Sequence, residues 1–269
     1  MPEGPEVKIK MNLLCAILKG TTLMNMDVCK ESFHKKTHDF ERLTKILPAT
    51  VINSESKGKF GYITLDNGYS VGISFGMTGD ILEEIPKPTD KRYKHLAVKF
   101  TYANYKSELK SIYYTSIRNF GHIWIYDTPE LNIKLNTLGF CILNDNIYTK
   151  EEIVSRLRKR NNRSICECLM NQVLWAGIGN YIKSEILYTV KLNPISLVKD
   201  INDKQLYELY LAARDLAYRS YLDGGSGQYN SIFELNVYNK SICPRGFEVK
   251  RIKTPDKRTT HWVPEVQEC

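Results

Sequence analysis

Two hydrophobic periods divide this chain, and the switch between them limits its fold more than any other feature. From about residue 50 to 127 the apolar residues fall in short β-like runs: VINSES, FGYITLDNGYSVGISF, HLAVKF, SIYYTS and GHIWIY. Asp66-Asn67-Gly68, between two such runs, is a hairpin signal, because asparagine and glycine tolerate the turn's positive φ. Several antiparallel strands at this spacing imply a sandwich or a barrel. Val7, Met11, Leu14 and Leu18 stand near helical spacing and predict a helix ahead of them. Beyond 136–150 the period turns helical through EEIVSRLRKR, SICECLMNQVLWAG, GNYIKSEILYTV and DKQLYELYLAARDLAYRSYL. Gly224-Gly225-Ser226-Gly227 marks a loop, and residues 233 to 267 return to short β-like pieces rich in Lys and Arg. The expected class is α+β, with an N-terminal antiparallel β-sandwich and flanking helix over 1–135. A helical domain over 136–232 and a basic β-hairpin over 233–269 follow.

A formal net charge of +8 over 269 residues makes nucleic acid or another anionic surface a plausible partner without singling one out. No stretch approaches the roughly 18 apolar residues of a membrane span. The start, MPEGPEVKIK, lacks the basic-then-apolar order of a secretory signal, so an intracellular protein is expected. Seven cysteines stand without a framework, and Cys166 and Cys168 are poorly spaced for a zinc knuckle, so buried structural thiols are expected for most of the seven.

The start also carries chemistry. Removal of Met1 would expose Pro2 as a secondary amine. An α-amino group titrates near ~7.7–8.0, so part of it is unprotonated at neutral pH. Such an amine can attack an electrophilic sugar carbon and form an imine. Glu3, one residue on, could move the protons this requires. A proline here also suits the first turn of an ordinary helix, and composition alone favours that plainer reading.

The run Pro2-Glu3-Gly4-Pro5-Glu6-Val7 resembles the start of the formamidopyrimidine-DNA glycosylase/endonuclease VIII family, and the likeness recurs along essentially the whole chain. The resemblance implies that Pro2 forms a Schiff base at C1′ of the damaged nucleotide, with Glu3 as acid/base and Glu6 in support. Ser56-Lys57-Gly58-Lys59-Phe60 resembles a strand motif whose lysine, here Lys59, assists lyase chemistry and contacts phosphate. Phe75-Gly76-Met77-Thr78-Gly79 resembles the segment whose methionine fills the space of an extruded base. Arg118-Asn119-Phe120-Gly121 resembles the segment whose arginine faces the orphaned base while its phenylalanine wedges the stack. Core packing is the plainer reading for Met77 and Phe120, and Asn119 stands where the family has a second arginine. His95 is matched to a DNA-contacting histidine.

The run from Arg163 to Gln172 and on through Gly177-Ile178-Gly179-Asn180-Tyr181 to Tyr188 resembles the helix–two-turns–helix element, in its endonuclease VIII-like form. A glycine turn at a helix N-terminus can present backbone N–H groups to phosphate, with Asn180 adding a side-chain donor. In the tail, most of the family carries a zinc finger. Here Cys243, Gly246, Val263 and Val266 occupy its four ligand positions, so a metal-free, zincless finger is expected, with no cofactor. Arg258 stands where a phosphate-gripping arginine belongs, and His261 reads as structural.

The resemblance implies a monomeric glycosylase/AP lyase acting on damaged DNA, with oxidised pyrimidines and hydantoins as substrates and β,δ-elimination to follow. An 8-oxoguanine-type specificity is the alternative, suggested by Met77, Arg118 and Phe120. A damaged-DNA binder without catalysis is a third, favoured if Met1 is retained. Localisation would follow the DNA, in a nucleus or elsewhere, and the Lys-, Asn- and Ile-rich composition fits an AT-rich genome such as that of a large DNA virus.

Overall fold

The computed structural model describes residues 2–143, 146–226 and 232–267. Met1, whose removal matters to Pro2, lies outside the described residues, as do Gly227 and the four residues after it. The chain forms two compact units, Pro2 with Val7–Thr137 and Glu3–Glu6 with residues 138–267.

The first unit takes in most of helix α1 (Gly4–Leu18) and strands β1 (Thr22–Val28) and β2 (Thr37–His38). Helix α2 (Leu43–Ile46) leads to β3 (Ala49–Lys57), β4 (Phe60–Leu65), β5 (Tyr69–Ser74), β6 (Gly79–Leu82), β7 (Leu96–Ala103), β8 (Leu109–Ser116) and β9 (His122–Asp127). Helix α3 (Thr128–Asn136) closes the unit. The strands bond in the order β2-β9-β5-β4-β3-β1-β7-β8-β6. Within this sheet only β2 and β9 run parallel. β1 meets β3 through just Thr22↔Thr50 and Leu23↔Ala49, and there the sheet passes from one half to the other.

Both halves bury their inward residues in one core. Val51, Ile63, Val71 and Ile125 come from one half, and Met26, Val98, Phe100 and Tyr114 from the other. Met11, Leu14 and Leu18 of α1 join them, as the period-3.6 spacing requires. This is the expected sandwich with its helix. The expected strands appear as β3, β4, β5, β7, β8 and β9, with the turn at Asp66-Asn67-Gly68 between β4 and β5. Strands β1 and β6 and helix α3 were not anticipated. Helix α3 had a local signal: Asp127 and Glu130 form a reciprocal capping box around Pro129.

The second unit holds β10 (Phe140–Cys141), α4 (Lys150–Arg158), α5 (Ile165–Met170), β11 (Trp175–Ala176), α6 (Asn180–Thr189), α7 (Asp203–Leu222), and the hairpin β12 (Lys250–Lys253) and β13 (Thr259–Trp262). Its core gathers Ile153, Leu157, Leu169, Trp175, Ile182, Ile186, Leu209 and Leu216. The run SICECLMNQVLWAG is not one helix. It breaks at Asn171, whose side chain accepts the Val173 N–H, and Trp175–Ala176 then pairs in parallel with Phe140–Cys141. Among the described residues no helix is long and apolar enough to cross a membrane.

Candidate active site

Helices α4, α5 and α7 each begin with their own capping box, on Thr149/Glu152, Ser164/Glu167 and Asn202/Gln205. Helix α6 does not: its N-cap is Gly179, which has no side chain to offer. The orphan N–H groups of its first turn need acceptors from elsewhere. They find them in Glu3. Oε2 accepts from Gly179 N at 2.7 Å and Ile182 N at 3.3 Å, and Oε1 from Tyr181 N at 2.9 Å. A Cβ at Gly179 would lie 2.1 Å from Glu3 Cδ, so only glycine leaves room for this carboxylate. Gly4 likewise packs its backbone on Gly177, donating to the Gly177 carbonyl at 2.9 Å. Three N–H groups expected to face phosphate are thus occupied by Glu3. The physical reason is that a carboxylate inside the protein satisfies them permanently.

Glu6 extends the same cluster. Its Oε2 accepts from Glu3 N at 2.8 Å, and its Oε1 from the Tyr181 hydroxyl at 3.1 Å and from Ser226 N at 2.7 Å. Burial pushes the Tyr181 phenol well above its ordinary value, with the Glu6 and Glu3 carboxylates adding to the effect, so it stays a neutral donor. Its oxygen also lies 3.1 Å from Ser220 Oγ. Gln172 secures the preceding turn, donating to the Ile178 carbonyl at 2.9 Å and accepting from Gly177 N at 3.1 Å.

Pro2, Lys59, Met77, His95, Arg118 and Phe120 belong to the first unit, whereas Glu3, Glu6, Asn180 and Arg258 belong to the second. Pro2 is buried. Lys59 stands in the turn that joins β3 to β4, half-buried, rather than within a strand. The segments carrying Met77 and Phe120 touch. Arg118 N donates to Thr78 Oγ1 at 3.0 Å, and a Cβ at Gly76 (φ 56°) would meet the Phe120 carbonyl carbon at 2.5 Å. Phe120 is 50% exposed with the Arg118 guanidinium over its ring at 5.4 Å, so it is not a core residue. Met77 is half-buried. Asn119 adopts φ 55° and donates to the Ser32 carbonyl at 3.2 Å, a conformation asparagine tolerates better than arginine. His95 ends a single 3₁₀ turn, its Nδ1 buried without a hydrogen-bond partner. Burial, then Lys30 and Lys94, push its pKa down.

The β12–β13 hairpin lies along α6. Asn180 Nδ2 donates to the Thr259 carbonyl at 2.8 Å, and His261 N to Ser184 Oγ at 3.3 Å. Arg258 is exposed in the hairpin turn. Below it, Cys243, Val263 and Val266 form a small apolar core with Val237 and Val249, against which Tyr188 packs. Zinc requires four nitrogen, sulfur or oxygen donors in a tetrahedron. A lone thiol among valines, with Gly246 at the remaining position, does not fit that ion. A chelator such as EDTA should therefore leave the melting temperature unchanged, and a fall of several degrees would contradict this. Burial pushes the Cys243 thiol up, but hydrogen bonds from Tyr188 and from the amides of Arg245 and Phe247 outweigh it and bring the thiol below its ordinary value.

His261 is buried with its ring 4.8 Å from that of Tyr238. Burial, then Arg251 and Lys183, hold its pKa below the ordinary 6.5. Below pH 6.5 the unfolded chain therefore binds a proton that the folded one refuses, and stability falls as pH drops through this window. Melting temperatures between pH 7.5 and 5 should fall less steeply for His261→Phe than for the native chain. Equal slopes would contradict the assignment.

Gln172, Gly179, Tyr181, Lys183 and Glu185 lie in the run that resembles the helix–two-turns–helix element but were given no individual role there, and Asp256 was not singled out at all. Lys183 and Glu185 carried a signal: two charges in a helix that is otherwise buried all round.

The model of the formamidopyrimidine-DNA glycosylase N-terminal domain matches residues 1–123, and that of the formamidopyrimidine-DNA glycosylase H2TH domain matches residues 144–228. The formamidopyrimidine-DNA glycosylase of Pelotomaculum thermopropionicum is 27% identical over 99% of both chains. That of Arabidopsis thaliana is 26% identical over 99% of this chain and 71% of its own. Among solved structures, Lactococcus lactis formamidopyrimidine-DNA glycosylase bound to DNA with an AP site superposes with a TM-score of 0.85 at 22% identity, covering 99% of this chain and 100% of that one. A complex of the same enzyme with DNA containing an oxidised pyrimidine also gives 0.85 at 22% identity, over 100% of both chains.

Proposed function

The chain belongs to the formamidopyrimidine-DNA glycosylase/endonuclease VIII family, and from that premise we propose that it excises oxidised bases through the amine of Pro2 and then cuts the strand. It is a DNA glycosylase of base excision repair, at work where genomic DNA is. The proposal is carried by the grip of Gly179, Tyr181 and Ile182 on Glu3, which fixes a proton-transfer group one peptide bond from Pro2.

In the proposed reaction the Pro2 nitrogen attacks C1′ and the base departs with the electrons of the glycosidic bond. The nitrogen then loses its proton, and the C1′–O4′ bond opens to leave an iminium ion, O4′ taking up a proton through Glu3. Loss of a C2′ proton expels the 3′ phosphate, and a second elimination expels the 5′ phosphate. Lys59 assists these eliminations and holds phosphate. Met77, Arg118 and Phe120 occupy the duplex where the base has left. Asn180, Arg258 and His95 contact the strands, and Glu6 supports Glu3.

For substrate we propose oxidised pyrimidines and hydantoins, on the endonuclease VIII-like run Gly177-Ile178-Gly179-Asn180-Tyr181 and the zincless finger at Cys243, Gly246, Val263 and Val266. A second reading, 8-oxoguanine and formamidopyrimidines, is favoured by the Met77, Arg118 and Phe120 set and by the names of the curated relatives. Single-turnover excision from duplexes carrying dihydrouracil, a hydantoin or 8-oxoguanine separates the two. Faster loss of dihydrouracil and hydantoin is expected, and faster loss of 8-oxoguanine would establish the second reading.

A further inference from the structure

We infer that the buried Lys183–Asp256 pair is the latch that positions Arg258 on DNA, in a finger whose ligand positions do not suit zinc. The inference rests on the proposed role of Arg258 in gripping phosphate. Lys183 Nζ donates to Asp256 Oδ2 at 2.6 Å, and the two side chains are 0% and 4% exposed. A pair this deep adds little net stability over an apolar substitute, because desolvation of both charges offsets their attraction. What it does impose is geometry: neither charge can leave the other without standing unpaired.

The geometry it imposes reaches Arg258 directly. Asp256 opens the short turn Asp256-Lys257-Arg258, with Lys257 held at φ 61°. Asp256 Oδ1 accepts from the Thr254 hydroxyl, whose oxygen lies 3.1 Å from the Arg258 carbonyl oxygen and 2.7 Å from Thr260 Oγ1. Thr254 N closes the loop onto the same Arg258 carbonyl at 3.1 Å. A continuous chain of polar contacts thus runs from the middle of α6 to the backbone of Arg258, while the Arg258 side chain stands in solvent. The Asn180–Thr259 and Ser184–His261 bonds, one helical turn apart on α6, hold the strand that follows. Lys183 and Asp256 act through Arg258, so they are positioning residues. Their substitution should reproduce the loss of that one phosphate contact.

The test is equilibrium binding of the full chain to a duplex carrying a tetrahydrofuran abasic analogue, measured across a salt series. Arg258→Ala, Asp256→Asn and the double variant are compared, each checked by circular dichroism and melting. Arg258→Ala and Asp256→Asn should each weaken binding about tenfold and flatten the salt slope by about one counterion. The double variant should bind no more weakly than Arg258→Ala alone, because both changes remove one contact. A folded Asp256→Asn that binds like the native chain, or losses that add in the double variant, would overturn the latch while leaving Arg258 in its role. Native-like binding by Arg258→Ala would instead overturn the role of Arg258, and the latch with it. If Asp256→Asn does not fold, Thr254→Val, which removes one hydrogen bond to the same carboxylate, takes its place with the same expected outcome.

Discussion

Glu3→Gln should lower single-turnover base excision by about 10²- to 10⁴-fold, the usual contribution of a positioned proton-transfer group. The same change should also cost stability, and the reason lies in the hydrogen bonds. In the native chain both carboxylate oxygens accept, from Gly179, Tyr181 and Ile182. Glutamine replaces one of those acceptors with an NH2 group, which then points at a backbone N–H. Leaving a buried donor unsatisfied costs about 1–3 kcal/mol, or several degrees of melting temperature. Gly179→Ala provides the companion experiment, since its Cβ would fall 2.1 Å from Glu3 Cδ and must displace the carboxylate without altering it chemically. Excision should suffer in both variants. If Glu3→Gln melts several degrees lower yet excises at the native rate, Glu3 is a helix cap and nothing more.

Glu185→Ala should strongly destabilise the second unit. The Glu185 side chain is fully buried and accepts from Asn236 N at 2.8 Å, Asn236 Nδ2 at 3.0 Å, Val237 N at 2.8 Å and Tyr238 N at 2.8 Å. Alanine strands three backbone donors at once, a loss on the order of 4 kcal/mol once partial relaxation is allowed for. The melting temperature should fall on the order of 10 °C. Hydrogen exchange should locate the damage, with protection lost first across β12 and β13 and retained in α7. Glu185→Gln, which keeps one accepting oxygen, should lie between. A Glu185→Ala protein that melts like the native chain would mean that the finger is anchored by its valine core, the Lys183–Asp256 pair and the bonds made by Asn180 and Ser184 without help from Glu185.

Much of the architecture could be read from the chain because its signals are local. The turn at Asp66-Asn67-Gly68 and the alternation in β4 and β5 lie within a few residues of what they specify. The capping boxes at Ser164/Glu167 and Asn202/Gln205 are just as local, although the helices there were read from their period and not from the boxes. The Asp127/Glu130 box of α3 was equally local and was not used either, so that helix went unread. Trp175–Ala176 was misread for a different reason. The run is apolar enough for a helix, and what diverts it is the Asn171 turn together with pairing to residues 35 positions earlier. The cap on α6 is the extreme case. Nothing near Gly179 predicts that the partner of its amides is Glu3, 176 residues away. The motif residues stood out in the sequence, but the purpose of the two turn glycines did not. They make room for the start of the chain, a role that only tertiary structure reveals.

Borohydride trapping followed by peptide mapping shows whether the Pro2 amine is the nucleophile. The protein is incubated with a duplex bearing dihydrouracil or an abasic site, reduced, digested and analysed by mass spectrometry. A stable protein–DNA adduct whose cross-link maps to the nitrogen of Pro2 is expected, with no adduct from protein that retains Met1. An adduct mapping to Lys59 or another lysine, or base excision that proceeds normally with Met1 in place, would contradict that role of Pro2.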